Sequence, residues 1–305
     1  MSTNEINVPV LLLGYNRPEL LIRRFQELSI QDIGHLTISI DGGGMTEQEL
    51  KKVENSALEF FDRDRFDFIA HTRNLGLCEH VVSAVSRVLS KDSYVIVLED
   101  DIRVGINFYR NMISGIEFSK KITGIAAVSS FTALGGSRFK IFSARWRETR
   151  YFSCWGWAVS REVWEKYELN LANIDISREL SKSVTWKRLN THQKAVWQGR
   201  FSRVKENPSS TWDIQFQFMC FRFDLKILAP TRRFSSNQGF NDIRSEHTSG
   251  RMPRWMTLTR EYNDLVLAKQ ISCASKLYEK IFDENTIAGD SRLVARMRKW
   301  KEKSS

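Results

Sequence analysis

The chain has 305 residues, of which 42% are hydrophobic and 27% are charged, and these proportions are typical of a globular protein. Its 16 glycines and 5 prolines are too few for a collagenous or disordered chain, and a chain of this length can bury a large core without disulfides. The net charge of +10 favours anionic partners, such as nucleic acid, phosphorylated small molecules or acidic lipid.

The cysteine pattern and the lengths of the apolar runs indicate in which cellular compartment the protein lies. The cysteines are scattered and form no CxxC pair, which is typical of free thiols in a reducing environment and excludes a zinc ribbon. Residues 8–13 are too short a run for a signal peptide, and no run reaches the roughly 18 apolar residues of a membrane span. We therefore expect a cytoplasmic protein.

The first 130 residues alternate between apolar runs and helical patterns, which predicts βαβ units and a mostly parallel sheet. Helices are predicted from Pro18, from Thr46 and near Val81, and the second has an apolar stripe of Leu50, Val53, Leu58 and Phe61. Strands are predicted at residues 8–13, 36–40, 66–70, 94–98 and 125–128. The right-handed crossover rule then gives an α/β fold with helices on both faces of the central sheet.

The second half is less regular. Helices are predicted at about 161–168, 185–200 and 213–223, and a strand at 226–234 whose Pro230 predicts an edge or irregular position. Beyond about Arg254 the pattern is helical and ends in a basic tail. We predict one continuous fold in three parts: an α/β half over 1–130, an acceptor and catalytic half over 131–253, and a helical basic extension over 254–305.

Acidic residues follow two of the predicted strands. Asp41 comes after the second strand, and Glu99, Asp100 and Asp101 come directly after the fourth. Ligands of open parallel sheets bind beyond the carboxyl ends of the strands. Adjacent carboxylates repel one another unless a cation lies between them, and Mg²⁺ or Mn²⁺ with a phosphate ligand is the natural candidate. The alternative is a solvated loop whose acids cap the next helix.

Several short segments together resemble a known family. They are residues 8–18 (VPVLLLGYNRP), 39–43 (SIDGG), 73–76 (RNLG), 99–101 (EDD), 155–157 (WGW), 212–213 (WD) and 236–240 (SNQGF), followed by His247. In their order and spacing they resemble nucleotide-diphospho-sugar glycosyltransferases of the GT-A fold, most nearly the N-acetylglucosaminyltransferase I type and related bacterial enzymes. The resemblance covers about residues 8–248.

The resemblance implies an activity: transfer of a sugar from a nucleotide-diphosphate donor, with UDP as the expected nucleotide, to a saccharide or lipid-linked glycan in bacterial surface polysaccharide synthesis. The cofactor it implies is Mn²⁺ or Mg²⁺, held by Asp101 and His247. The catalytic base it implies is Asp213, which would give an inverting single displacement. The donor-binding residues it implies are Asn16, Arg17, Asp41, Arg73, Asn74, Glu99, Asp100, Trp155, Gly156 and Trp157.

Several of these residues also have a structural explanation. Asn16 and Asp213 can cap helices, Asp41 can belong to a glycine-rich turn, and Arg73 can form a solvated ion pair. His247 can be a surface or packed residue, and the WGW segment can be core. His35, His71, His80 and His192 have no metal-ligand spacing to one another, and no role is assigned to them.

Two basic segments have open interpretations. The first, Arg138, Lys140, Arg145, Arg147 and Arg150, is either a lid over diphosphate or a solvated loop. The second, residues 291–303, is either a basic amphipathic helix on the inner face of the membrane or a packed or disordered tail.

Other functions are also open. A sugar nucleotidyltransferase of the same fold is disfavoured because the loop after the first strand is poor in glycine. A non-catalytic basic protein that binds nucleic acid or membrane is the other alternative, but no nucleic-acid-binding motif is present and no nucleic-acid partner is expected.

Overall fold

The computed structural model of the chain describes residues 7–132, 144–240, 244 and 263–270. In these ranges the strands are β1 (Val10–Gly14), β2 (Leu36–Ile40), β3 (Phe66–Ala70), β4 (Tyr94–Glu99), β5 (Ile102–Val104), β6 (Ile125–Ser129), β7 (Arg145–Thr149), β8 (Trp157–Ser160), β9 (Lys226–Pro230), β10 (Ser235–Asn237) and β11 (Leu267–Gln270).

Nine of these strands form one sheet in the order β11-β7-β9-β6-β8-β4-β1-β2-β3. The pairings among β3, β2, β1 and β4 are parallel, as are those of β6 with β9 and β7 with β11. Strand β8 runs antiparallel between β4 and β6, and β7 runs antiparallel to β9. Strands β5 and β10 form a separate antiparallel pair. The predicted fold class, an α/β fold with a mostly parallel central sheet, is confirmed.

Helices pack on the sheet, and several more helices lie in the second half of the chain. They are α1 (Pro18–Ser29), α2 (Glu47–Phe60), α3 (Leu77–Leu89), α4 (Phe108–Ser119), α5 (Arg161–Trp164), α6 (Ile176–Lys182), α7 (Val184–Lys187), α8 (Thr191–Glu206) and α9 (Asp213–Arg222). Strand β1 is buried on both faces: Val10 and Leu12 belong to one hydrophobic cluster, and Leu11 and Leu13 to another. This burial explains its continuous apolar run.

The second helix corrects one expectation about its apolar stripe. A capping box between Thr46 and Glu49 starts α2, and the helix buries Val53 and Ala57. Leu58, which the sequence analysis placed in the stripe, is 46% exposed. Residues four apart share a helix face, so Val53 and Ala57 continue to Phe61, whereas Leu58 points away.

The second half departs from the predicted elements in several places, and the helix predicted at 161–168 is limited to α5. The strand predicted at 226–234 ends at Pro230 and lies inside the sheet between β7 and β6, so the alternative of an edge position was wrong. The alternative of an irregular position agrees with the register shift in the pairing of β9 with β6. Because Pro230 is the last residue of β9, its missing N–H removes no bond from the middle of the strand. Residues 185–200 contain two helices rather than one, α7 and α8. Strand β11 pairs with β7 within a segment for which helix was predicted.

The first basic segment is partly described. Arg145 and Arg147 belong to β7, and Arg147 is buried and donates to the hydroxyl of Thr132. These two residues are therefore part of the sheet rather than of a lid. Arg138, Lys140 and residues 291–303 lie outside the described residues. The domain boundaries near 130 and 253 remain predictions, although strands from both sides of residue 130 share the sheet.

In the described ranges, no helix combines the length and the apolar character that crossing a membrane requires. Cys78 and Cys220 are buried free thiols, and Cys154 is a half-buried free thiol.

Candidate active site

A cavity of about 380 Å³ opens at the carboxyl edge of the sheet. Strands β1, β2 and β4 are adjacent and parallel, so the loops that follow them meet at this edge. Its lining includes nine of the residues that the sequence analysis singled out: Asn16, Arg17, Asp41, Asn74, Glu99, Asp100, Asp101, Trp155 and Asp213. Segments almost 200 residues apart in the sequence therefore contribute to one cavity.

Arg17 pairs with two acids of the triplet, Asp100 and Asp101. Its guanidinium makes a two-pronged ion pair with Asp100, in which Nη2 contacts Oδ1 and Nε lies 3.3 Å from Oδ2. Its Nη1 lies 3.3 Å from Asp101 Oδ2. The backbone around Asp101 is fixed by the pairing of β5 with β10 and by the Gln238 N–H, which donates to the Asp101 carbonyl at 2.8 Å. The carboxylates are thus presented on an ordered loop.

Burial disfavours the charged form of all three acids of the triplet. Burial raises the pKa of Glu99 well above its usual range, and the neighbouring Asp101 and Asp100 raise it further. Burial raises the pKa of Asp100 to about 7 even though Arg17 opposes the shift. Burial also raises the pKa of Asp101, again against Arg17. A further positive charge in the cavity would favour the ionised forms of all three.

The donor set fits a divalent cation that is shared with a phosphate. Asp101 Oδ1 is buried and has no hydrogen-bond partner among the described residues. Within the described ranges, no three acidic, histidine or cysteine side chains group closely enough to form a complete protein site. Mg²⁺ and Mn²⁺ are commonly held by one or two carboxylates together with substrate phosphates, and a buried orphaned carboxylate oxygen suits that arrangement. His247, the other predicted ligand, lies outside the described residues.

Asp213 enters the cavity from the second half of the chain. It occupies the first turn of α9, and Trp212 rather than Asp213 is the capping residue, so its carboxylate does not serve as the helix cap. The Thr211 hydroxyl donates to Asp213 Oδ1 and fixes the orientation of the carboxylate. The ring of Trp212 stacks on Trp157 with centroids 5.1 Å apart. This stacking sets the position at which α9 begins.

The WGW segment divides between the cavity and the core. Trp155 lines the cavity and packs edge-on against Phe131, with ring centroids 4.5 Å apart. Trp157 is fully buried and does not line the cavity, so it is a packing residue rather than the predicted part of the donor wall. Gly156 does not line the cavity either. Its φ is +84°, and a Cβ there would collide with Ser130 Oγ, so this position requires glycine for backbone reasons.

Asp41 lines the cavity, but both oxygens of its carboxylate accept hydrogen bonds from backbone N–H groups. Oδ1 accepts the N–H of Gly42 at 2.8 Å and of Leu75 at 2.7 Å, and Oδ2 accepts the N–H of Gly76 at 3.0 Å. The loops after β2 and β3 approach so closely that a Cβ at Gly42 would collide with the Arg73 backbone. Asp41 therefore holds two cavity loops together.

Of the predicted nucleotide-binding residues in the loops after β1 and β3, some line the cavity and one does not. Asn16 lines the cavity, and the N-terminal cap position of α1 belongs to Arg17, so Asn16 is not the helix cap. Asn74 also lines the cavity, where its Nδ2 donates to the Tyr15 hydroxyl at 3.1 Å. Arg73 lies outside the cavity lining, with its side chain 71% exposed and 3.1 Å from Glu79. The structure thus supports the ion-pair interpretation of Arg73.

Sequence reasoning missed several cavity residues, and His80 is the most informative. Its ring lies on the first turns of α3, is buried, and forms a 2.9 Å hydrogen bond through Nε2 with the Ser39 hydroxyl on β2. Burial lowers its pKa to about 4, opposed by Asp41 and assisted by His71. The ring is therefore neutral near pH 7. The helical position of His80 among buried residues was the available signal. The other missed residues include Tyr15, Cys154, Thr211, Trp212 and Asn237.

No protein-family model matches the sequence, and no curated protein matches it. The similarity of this chain to solved structures is low. The galactosyltransferase LgtC, solved with donor and acceptor sugar analogues, has a TM-score of 0.38 and 12% identity over 93% of this chain and 96% of that chain. The 4-diphosphocytidyl-2C-methyl-D-erythritol synthase from Anaerococcus prevotii has a TM-score of 0.38 and 8% identity, over 73% and 88% of the two chains. The glycosyltransferase GlyE from Streptococcus pneumoniae has a TM-score of 0.35 and 9% identity, over 73% and 45%.

Two of these three proteins are glycosyltransferases, the class that the sequence motifs resemble. At such low TM-scores the similarities carry no argument about the activity of this chain. The fold class rests on the strand order, and the function rests on the chemistry of the cavity.

Proposed function

We propose that this chain is a metal-dependent glycosyltransferase that moves a sugar from a nucleoside-diphosphate donor, UDP-sugar in the first instance, to a saccharide or lipid-linked glycan. The observation that carries the proposal is the meeting of Asp213 in one cavity with half-buried Glu99 and buried Asp100 and Asp101. A set of clustered acids needs a cation and a phosphate partner, and a separate carboxylate across the cavity provides a base for an acceptor hydroxyl.

Asp101 is the residue that would hold the metal, through its unpartnered Oδ1, together with oxygens of the donor diphosphate. The chemistry that Mn²⁺ or Mg²⁺ supplies when bound is the stabilisation of negative charge on the leaving nucleoside diphosphate. Arg17 keeps Asp100 and Asp101 in fixed orientations, so the site does not have to reorganise when the donor arrives.

Asp213 is the proposed general base. It would accept the proton of the acceptor hydroxyl as that oxygen attacks the anomeric carbon, with inversion at that carbon. The Thr211 hydroxyl donates to Oδ1, which leaves Oδ2 as the oxygen for this proton. Trp155 presents an aromatic surface on the cavity wall, and such surfaces pack against the apolar faces of sugar rings.

Thermal unfolding with a panel of UDP, GDP, CDP and ADP, each with and without Mn²⁺, tests the proposal. A ligand at about 100 times its Kd adds roughly 2.7 kcal/mol of stability, which raises the midpoint by several degrees. We expect one diphosphate to stabilise the wild type only when Mn²⁺ is present, and Asp101→Ala to abolish the shift. The matched control is Asp64→Ala, which removes an exposed acid outside the cavity. A wild type that no nucleotide stabilises contradicts the proposal.

A further inference from the structure

The positive charge of the chain is concentrated in one helical stretch outside the cavity. Residues 180–205 contain no aspartate or glutamate, and their seven lysines and arginines are Lys182, Lys187, Arg188, Lys194, Arg200, Arg203 and Lys205. This stretch therefore accounts for +7 of the net charge of +10. It covers the end of α6, all of α7 and most of α8, and none of its residues lines the cavity. Such a concentration of one charge sign favours an anionic partner.

Two of these basic residues share an exposed helix face with an apolar side chain. Val184, Lys187 and Arg188 are spaced by three and four positions, which places them on one face of α7, and all three are exposed. Trp186 and Leu189 are buried and anchor this turn of the chain to the protein. Among the described residues, no acidic side chain pairs with Lys187 or Arg188. Both charges are therefore available to a partner.

A second exposed apolar side chain belongs to the neighbouring segment. Phe223 follows the last residue of α9 and is 43% exposed, and Val184 is 52% exposed. Asp224 joins the two segments, because its carboxylate accepts the N–H of Val184 at 3.0 Å and that of Thr185 at 2.7 Å. The corner surface is the name used below for Val184, Lys187, Arg188 and Phe223.

Three acidic side chains near the corner surface have other partners. Glu179 lies 2.5 Å from Lys182 and 2.9 Å from Arg222, and Glu168 lies 2.6 Å from Arg222. Asp224 accepts hydrogen bonds from the first residues of α7. These acids therefore leave the charges of the corner surface uncompensated.

Basic residues beside exposed apolar ones are the combination that binds an acidic membrane surface. The cations attract anionic headgroups, and the apolar side chains enter the boundary between headgroups and acyl chains. A nucleic acid would also attract the cations, but it binds through stacking on aromatic rings, which the aliphatic Val184 does not provide. The guanidinium of Arg222 lies 5.1 Å from the centroid of the Phe223 ring and covers one of its faces. The chemistry of the corner surface thus favours lipid.

We infer that the corner surface docks this protein on a membrane that contains acidic lipid. The docking surface is separate from the cavity, because Asp213 begins α9 and Phe223 follows its end. The ten residues of α9 span about 15 Å at about 1.5 Å per residue. The inference does not depend on the proposed function, although a membrane docked at this distance would hold a lipid-linked acceptor near the proposed base.

Flotation of the full chain with vesicles tests the inference. We expect the wild type to bind vesicles of equal parts phosphatidylglycerol and phosphatidylcholine, and not vesicles of phosphatidylcholine alone. One lysine or arginine at an acidic membrane changes the affinity about fivefold, so the double variant Lys187→Gln/Arg188→Gln should bind about 25-fold more weakly. The matched control is Lys51→Gln/Lys52→Gln, an adjacent exposed basic pair on α2, which should bind as the wild type does. Residues 291–303 are present in every variant and contribute equally to each.

Val184→Ser tests whether the partner is lipid or nucleic acid, with polyuridylate as the second probe. We expect this variant to bind acidic vesicles about three- to fivefold more weakly, because serine loses the apolar contact with the bilayer. Vesicle binding that Val184→Ser leaves unchanged, together with polyuridylate bound as tightly as acidic lipid at equal phosphate concentration, assigns the surface to nucleic acid and overturns the inference.

Hydrogen exchange of the wild type provides a measurement that needs no variant. We expect acidic vesicles to slow the exchange of amides in residues 184–188 and 222–225 and to leave residues 47–60 of α2 unchanged. Failure of the wild type to bind acidic vesicles, equal binding by Lys187→Gln/Arg188→Gln, or no protection in either segment overturns the inference. None of these results bears on nucleotide binding, so the proposed function is tested separately by thermal unfolding with UDP and Mn²⁺.

Discussion

The cavity has two ends, one beyond β4 and one beyond β2 on the other side of β1, and they satisfy their polar groups in opposite ways. At the acidic end, Asp100 and Asp101 are buried and both pair with Arg17, and one oxygen of Asp101 has no described partner. At the other end, Asp41 accepts three backbone N–H groups and His80 is neutral. The acidic end therefore has a carboxylate oxygen that can bind a cation, whereas the other end is built from a nearly complete set of internal hydrogen bonds.

The difference shows that aspartates at one edge of the sheet have different roles because their surroundings differ. Asp41 and Asp101 both follow parallel strands, but backbone N–H groups bind the first carboxylate, whereas the second pairs with Arg17 and keeps one oxygen without a described partner. Substitutions in the cavity lining and in the packing beneath it test this difference in role.

The largest effect is expected for Asp213→Asn, which keeps the shape of the side chain and removes its ability to accept a proton. We expect kcat for sugar transfer to fall by about 10²–10⁴-fold, the usual contribution of a general base, while the affinity for UDP with Mn²⁺ is retained. Steady-state kinetics and a binding titration separate the two quantities. The exposed Asp64→Asn serves as the control, and full transfer activity in Asp213→Asn removes Asp213 from the role of base.

Trp157→Ala tests the packing beneath the acidic end. The fully buried Trp157 supports Trp212, the residue before Asp213, and removing such a side chain costs about 3–5 kcal/mol of unfolding free energy. Trp155→Ala is the comparison, because Trp155 lines the cavity: we expect a smaller loss of stability and up to about tenfold weaker binding of the donor sugar. Urea unfolding and donor titration of both variants check this. The division of the WGW segment is wrong if Trp155→Ala is the more destabilising change.

The pH dependence of stability tests the environment of His80. Its pKa of about 4 in the folded state lies below the unfolded value of 6.5, so the unfolded chain binds a proton that the folded chain excludes. This contribution to stability is present above pH 6.5 and is lost as the pH falls toward 4, by about 2 kcal/mol between pH 6.5 and pH 5. Urea unfolding of the wild type and His80→Phe at these two pH values isolates the effect.

The buried acids change stability in the opposite direction, because their raised pKa values favour the folded state as the pH falls. These acids are present in both the wild type and His80→Phe, so their contribution cancels in the difference between the two free energies of unfolding. Asp41 and His71 also face the ring, and they are unchanged in His80→Phe. Equal pH slopes for the wild type and the variant contradict the assignment of a neutral, buried His80.

The smallest effect is expected for Thr211→Val, which removes the donor to Asp213 Oδ1. The carboxylate remains but loses one constraint on its orientation, so we expect kcat to fall about three- to tenfold with little change in KM. Thr211→Ser retains the hydroxyl and should restore the rate. A rate loss that serine fails to restore indicates a packing role for Thr211 instead.

The sequence was informative where local pattern and topology agree. Continuous apolar runs predict β1, β2 and β4, and adjacent parallel strands necessarily bring Asn16, Asp41 and Asp101 to one edge of the sheet. Motif order also predicted that Asp213 belongs to the same site, and the cavity lining includes it. What each side chain does there depends on partners that are distant in sequence.

The missed features all depend on such distant partners. The burial of Trp157 follows from its stacking on Trp212, and the engagement of Asp41 follows from the close approach of the loop at Leu75 and Gly76. His80 was assigned no role because metal-ligand spacing was the criterion, whereas its place in the cavity follows from α3 packing on β1 and β4, which brings its ring to Ser39 on β2. The interior position of β9 could not be predicted either, because strand order in the second half includes two antiparallel insertions.

The most direct test of the acidic end is a Mn²⁺ titration followed by electron paramagnetic resonance, in which the signal of free Mn²⁺ disappears as the ion binds. We predict that the wild type with UDP takes up one Mn²⁺ per chain, that the wild type without nucleotide takes up Mn²⁺ far more weakly, and that Asp101→Asn with UDP takes up none. Uptake of Mn²⁺ by Asp101→Asn equal to that of the wild type, or no uptake by the wild type with any nucleoside diphosphate, contradicts the account.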